Sequence, residues 1–186
     1  MSKAPRKELL RKFFKELRLK LNPQEWQVGS IKICQMLLES AYYAKAKRIA
    51  FYSCINQEVD LNYALLEALR EKEVFLPKTD LKGQTLTFHR ILDLRSLTPG
   101  PFGILEPPPE APIVEVAKLD IILVPGLAFD KRRGRLGYGK GFYDKTLRDT
   151  RGLKIGVAFS CQIIEELPLE PYDVKMDLIL TEKGWL

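Results

Sequence analysis

With 186 residues, 46% hydrophobic and 29% charged, the chain has the length and composition of one soluble globular domain with its own core. It has no run of about 18 apolar residues that could cross a membrane. The net charge of +6 is segregated: residues 1–20 carry +6 and residues 131–154 carry +7, leaving the remainder at −7. That distribution favours a local anionic ligand over a surface that coats nucleic acid, which would spread its charge.

In chain order, Pro5 to Leu21 has the period of an amphipathic helix, with Leu10, Phe13, Phe14, Leu17 and Leu21 on one face. Lys7, Arg11, Lys15 and Arg18 form a cationic stripe beside it, either a solvated flank or the wall of a polyanion site. The basic start lacks an apolar core and cleavage site, so no secretory signal is read; an Arg-rich presequence is the alternative, disfavoured by Glu8 and Glu16. A cytoplasmic location is the expectation.

Asn22-Pro23-Gln24-Glu25 reads as a cap for a second helix reaching Ala44. "KRIAFYSC" (47–54), a helix capped by Asp60, and "EVFLPK" make a β-α-β unit. "DLKGQTLTFHRI" adds a turn and a strand, and residues 93–112, with six prolines, read as a surface excursion. "KLDIILVPG" is a strand buried on both faces. A glycine loop, a helix from Phe142 to about Asp149, the strand "LKIGVAFS", a short helix "CQIIEELP" and a last strand "DLILT" follow. This alternation predicts an α/β fold, a single-domain three-layer sandwich with a mostly parallel mixed sheet and an N-terminal helical pair.

The single histidine, His89, lies in an alternating strand pattern and is either a half-exposed strand residue or the one available imidazole base. Cys34, Cys54 and Cys161 are far apart, so no Cys/His zinc set assembles, and they read as small buried hydrophobes.

The chemistry concentrates in "RRGRLGYGKGFYD" (132–144). Its Gly134 to Lys140 spacing matches the phosphate-loop pattern G-x-x-x-x-G-K, but Gly141 stands where that pattern needs Ser or Thr for Mg²⁺. The loop follows the carboxyl end of a buried strand, where α/β sheets bind ligands. Glycines at 134, 137, 139 and 141 permit positive φ and a cradle of backbone N–H groups, with Arg135 and Lys140 as charges; a flexible basic loop is the alternative. Asp144 either ligates Mg²⁺ or offsets a helix dipole. Tyr138, Phe142 and Tyr143 either stack on a heterocycle or pack the helix start. Glu58 either caps its loop or meets a ligand beyond the strand "IAFYSC".

"VPGLAFDKRRGRLGYGKGFYDKTL" resembles the signature of the 5-formyltetrahydrofolate cyclo-ligase (5,10-methenyltetrahydrofolate synthetase) family. Lys7-x-x-Leu10-Arg11, "QEVD", "FLPK", "FGILEP", "GVAF" and "YDVKMDLILTE" follow that family's order, so residues 1–186 are expected to form a single cyclo-ligase-like domain. The resemblance implies that ATP and Mg²⁺ convert 5-formyltetrahydrofolate to 5,10-methenyltetrahydrofolate with release of ADP and phosphate. The formyl oxygen is phosphorylated and a neighbouring nitrogen closes the ring.

By the same resemblance Lys7 and Arg11 contact ATP phosphates. Arg135, Leu136, Gly137, Tyr138, Gly139, Lys140, Gly141, Phe142 and Tyr143 wrap the nucleotide, with Arg135, Lys140 and Tyr143 as the catalytic set. Tyr52, Glu58 and the Tyr138–Phe142 segment touch the folate, and Asp144 and Asp173 bind Mg²⁺. "SCINQEVD" is one residue longer than the family's usual link, and Phe142 stands where many members have tyrosine. A monomer, or at most a weak homodimer, without nucleic-acid or membrane partners is expected. Another ATP-dependent kinase or ligase on this scaffold, and an RNA-binding module using the basic helix and loop, are the competing assignments.

Overall fold

The structure is a computed structural model describing residues 2–186. Its helices are α1 (Lys3–Leu19), α2 (Pro23–Glu39), α3 (Ala41–Lys45), α4 (Asn62–Leu69) and α5 (Phe142–Leu147). The main sheet is built from β1 (Arg48–Ala50), β2 (Glu73–Asp80), β3 (Thr85–Ile91), β4 (Ile113–Val114), β5 (Ile121–Val124), β6 (Leu153–Val157), β7 (Leu178–Thr181) and β8 (Gly184–Trp185). Their spatial order is β8-β7-β6-β5-β1-β2-β3-β4. The five strands from β7 to β2 pair in parallel, and antiparallel neighbours close both edges.

The central strands read as unbroken apolar runs because they are buried on both faces, their residues going alternately to two cores. Ile49, Val74, Ile121 and Leu123 point to the face covered by α2, α3 and α4. Ala50, Phe75, Ile122 and Val124 point to the other, packed by Leu147 of α5, Phe129 and Met176. Full burial of one such aliphatic side chain contributes about 1.5–3 kcal/mol, so the sheet is the stable platform of the molecule.

The two N-terminal helices go to different places. α2 packs on the main sheet through Ile33, Cys34 and Leu37. α1 packs through Phe14, with Leu10 and Leu17, on a small three-stranded sheet made by Ala128–Asp130, Arg135–Leu136 and Ile163–Ile164. Two placements on α1 differ from the wheel: Phe13 is exposed, and Arg18 is fully buried.

Local departures have local causes. The second helix stops at Glu39 because Ser40 leaves helical geometry; its hydroxyl donates to Leu37 O at 2.6 Å and accepts from Tyr43 N at 3.1 Å, starting α3 afresh. Asp60 stands one place before the helix-capping position, its carboxylate accepting from Asn62 N. "CQIIEELP" is no helix: a 3₁₀ turn (Ser160–Gln162) leads into the short strand Ile163–Ile164, parallel to Phe129–Asp130. Gln162 holds it there by donating to Gly126 O and Leu127 O, while Asp130 accepts from Leu167 N. Residues 93–112 are mostly loop, stiffened by two 3₁₀ turns and the short ladder Thr98–Pro99 with Leu105–Glu106.

Candidate active site

β1 lies between β5 and β2, so the chain leaves it toward one edge of the sheet and later returns on its other side. The loops after β1 and β5 therefore diverge at the carboxyl ends of the strands, the place where open α/β sheets bind ligands. A cleft of about 670 Å³ opens there. Its wall includes Lys7 and Arg11 of α1, Tyr52 and Glu58 after β1, and the glycine loop from Arg135 to Asp144. Asp173 completes it, so all fifteen site residues that the family resemblance implies line one cavity.

One end of the cleft is cationic. Arg135 is 7% exposed; its Nε donates to Pro125 O at 2.7 Å and its guanidinium lies 5.0 Å from the Tyr143 ring centre. Burial disfavours its charge, which Asp144, Tyr143 and Glu58 support at longer range. Among the described residues it makes no ion pair, and its two amino groups make no hydrogen bond. A buried, unpaired guanidinium at a cleft wall is a strong site for an anion.

Lys7 pairs with Asp173 at 2.5 Å, and Arg11 Nε donates to Gly137 O at 3.0 Å. Gly139 has φ +101°, and a β-carbon there would lie 3.3 Å from the Arg11 guanidinium carbon, so glycine is what lets helix and loop meet. Lys140 sits 4.4 Å over the ring of Phe102. α5 is only six residues long, so its dipole adds little and the side chains and loop backbone carry the charge.

Asp144 and Asp173 come together because Asp144 Oδ1 accepts from Val174 N at 3.1 Å. Asp173 Oδ2 accepts from Lys7 and from Glu170 N. The other oxygen of each carboxylate has no hydrogen-bond partner among the described residues. No cluster of three or more metal-binding side chains occurs among those residues. Two carboxylates with one free oxygen each still suit Mg²⁺, which commonly completes its shell with phosphate and water.

The cleft also holds a buried acid. Glu58 is 4% exposed; Oε1 accepts from Tyr138 Oη at 3.0 Å and Oε2 from Ile55 N at 3.0 Å. Burial raises its proton affinity, opposed by the charge of Arg18 and by these hydrogen bonds. The preceding Asn56 and Gln57 both have positive φ, 48° and 56°, a strained pair costing about 1–2 kcal/mol per residue. Tyr52 lines the cleft with its ring, because its hydroxyl is committed to Val59 O at 2.8 Å.

Sequence inspection missed several wall residues. Phe102, Ile104 and Gln84 reach the cleft from segments remote in sequence, and Arg148 from the end of α5. Only "FGILEP" carried a signal for the first two, and no chemistry in that motif marked them. His89, in contrast, is buried, its ring bonded to Thr87 Oγ1 and Ala111 O away from the cleft. The expectation of a half-exposed histidine is corrected: the β3–β4 pairing covers it. Cys34 is buried, but Cys54 is half-buried and Cys161 exposed.

The fold and cleft define an open α/β enzyme scaffold with an anion-attracting glycine loop at its topological switch point. Residues 3–182 match the profile of the 5-formyltetrahydrofolate cyclo-ligase family. The chain belongs to the 5-formyltetrahydrofolate cyclo-ligase family. It is 32% identical to the 5-formyltetrahydrofolate cyclo-ligase of Haemophilus influenzae over 94% of this chain and 97% of that one. Among solved structures, the Aquifex aeolicus 5,10-methenyltetrahydrofolate synthetase superposes with a TM-score of 0.87 at 40% identity, covering 96% of this chain and 91% of that one. The Mycoplasma pneumoniae 5,10-methenyltetrahydrofolate synthetase gives 0.78 at 28% identity, covering 95% and 98%.

Proposed function

We propose that this cleft is where the chain performs the activity of its family, the ATP-dependent conversion of 5-formyltetrahydrofolate to 5,10-methenyltetrahydrofolate, and that its cationic end takes the nucleotide while Glu58 takes the folate ring. The supporting observation is that one cavity is lined by two unlike groups: the unpaired buried Arg135 beside the glycine loop, and the buried, hydrogen-bonded Glu58.

In this scheme Lys7, Arg11, Lys140 and the loop N–H groups bind and orient the phosphates, which requires Lys7 to exchange Asp173 for phosphate oxygen. Asp144 and Asp173 would hold Mg²⁺, which when bound supplies positive charge to the phosphates. Glu58 offers carboxylate oxygens to adjacent N–H donors of the pterin ring, and Tyr52, Tyr138 and Phe142 supply flat surface. The formyl oxygen attacks the γ-phosphorus as the bond to ADP breaks. The neighbouring folate nitrogen then adds to the formyl carbon, loses its proton, and the C–O bond to phosphate breaks.

Phosphorylation turns a poor leaving oxygen into phosphate, so no histidine or cysteine nucleophile is needed. Positioning and charge stabilisation by Arg135 carry the phosphoryl transfer. Incubation with MgATP and 5-formyltetrahydrofolate should give methenyl-folate absorbance and ADP in equal amounts. Folded protein that binds ATP without forming methenyl product would refute the assignment.

A further inference from the structure

Arg18 has no part in the scheme above, yet it is the largest fully buried side chain of the protein. It makes no ion pair with any described carboxylate. A guanidinium buried without a direct ion pair is costly to keep, so its hydrogen bonds indicate what it is kept for. Nε donates to Asn56 O at 2.9 Å, one amino group to Gly126 O at 3.3 Å, and the other to the hydroxyl of Tyr138. One side chain of α1 thus fastens the strained turn before Glu58, the loop after β5 and the glycine loop.

We propose that Arg18 is a positioning residue for the folate reaction: by holding the Asn56–Gln57 turn and the Tyr138 hydroxyl together, it aims the Glu58 carboxylate into the cleft. This rests on the assignment of Glu58 to the folate ring. The direction of the chain of bonds follows from donor chemistry. A guanidinium has no acceptor, so the Tyr138 oxygen must accept from Arg18, which leaves the Tyr138 proton for Glu58 Oε1. Ile55 N takes Oε2. Both oxygens are thereby located, and each keeps a second lone pair for ligand N–H groups.

Asn56 and Gln57 turn the chain with two successive left-handed residues, and Arg18 caps the carbonyl of the first. The charged and titratable groups facing Glu58 are Arg18 from α1, Arg135, Tyr138 and Tyr143 from the glycine loop and α5, and Tyr52 and Cys54 beside β1. Arg18 contributes the strongest charge favouring ionised Glu58.

The test is titration of 5-formyltetrahydrofolate without nucleotide, with the pH profile of kcat/KM, in Arg18→Lys, Tyr138→Phe, Glu58→Gln and their pairwise combinations. Arg18→Lys keeps charge but loses the three-way fork; Tyr138→Phe keeps the packing and loses only the hydroxyl, so it decides the matter should Arg18→Lys not fold. Each is expected to weaken folate binding about tenfold, as for one charge-assisted hydrogen bond, and to move the acid limb of kcat/KM to higher pH. Neither should add more than about twofold in the Glu58→Gln background, because the coupling runs through that carboxylate. ATP affinity of Arg18→Lys should stay at the wild-type value. Wild-type folate binding by Glu58→Gln would overturn the assignment of Glu58 itself. Impaired Glu58→Gln together with wild-type affinity and an unmoved acid limb in the tested positioning variants overturns the role of Arg18.

Discussion

Replacing Arg135 by methionine should separate catalysis from folding more cleanly than any other change in the cleft. The guanidinium makes a single hydrogen bond, to Pro125 O, so the folded protein loses that bond and the stacking on Tyr143 while shedding the cost of a buried unpaired charge. The net stability change should be within about 2 kcal/mol. In the proposed scheme, its two unclaimed amino groups would face the phosphoryl group in transfer. Taking about 1.5 kcal/mol for each charge-assisted hydrogen bond, loss of the pair raises the barrier by about 3 kcal/mol, which slows kcat roughly 100-fold or more. Arg135→Lys should recover part of this, because charge returns without the fork. The assay is methenyl-folate absorbance at saturating MgATP and folate, alongside thermal unfolding. A variant with wild-type kcat and an intact melting transition would remove Arg135 from the mechanism; loss of rate in step with loss of fold would leave the catalytic inference without support.

Asp144→Asn and Asp173→Asn should each raise the Mg²⁺ concentration for half-maximal rate at least about tenfold, as expected for losing one of two carboxylates; a Mg²⁺ titration at fixed ATP reads this directly. Gly139→Ala forces a left-handed position on an L-residue and presses on Arg11, so ATP affinity should fall about fivefold to tenfold by calorimetry, with about 1–2 kcal/mol of stability lost. His89→Ala strands the Ala111 carbonyl and should cost about 1–3 kcal/mol in denaturant unfolding while kcat stays within about twofold. For Glu58 the sign follows from burial: its folded pKa is raised, so the native state holds the proton more tightly than the unfolded one. Its contribution to stability therefore declines as pH rises from the ordinary glutamate value toward the raised one. The stability-versus-pH slope in that window should be more negative in wild type than in Glu58→Gln.

Much of the site was legible because its chemistry is contiguous. The glycine loop, its cations and Asp144 occupy thirteen consecutive residues, 132–144, and the buried strand before them already indicates the end of a sheet. The five-strand parallel centre was legible for the same reason, since burial on both faces writes itself as apolar runs. Where tertiary hydrogen bonds decided the local structure, the pattern misled. Ile163 and Ile164 join a strand because Gln162 and Asp130 hold that segment. Arg18 carries the same periodicity as Lys7, Arg11 and Lys15, and nothing in a helical wheel distinguishes the cation that points into protein from those that point into the cleft.

That stripe also explains the charge distribution. α1 and the glycine loop lie more than a hundred residues apart in sequence, yet the fold places both on one cleft, where their like charges repel. The resting protein limits the repulsion by local means: Lys7 against Asp173, Arg11 against Glu8 and a loop carbonyl, Lys140 against the face of Phe102. On the proposed assignment, a nucleotide bearing several negative charges would displace these partners. The excess of cations over anions here is therefore a store of unfavourable electrostatic energy that nucleotide binding at this wall would relieve. On that assignment, the step that fills the phosphate site would free Asp173 from Lys7, so that phosphate capture and completion of the carboxylate pair would be one event.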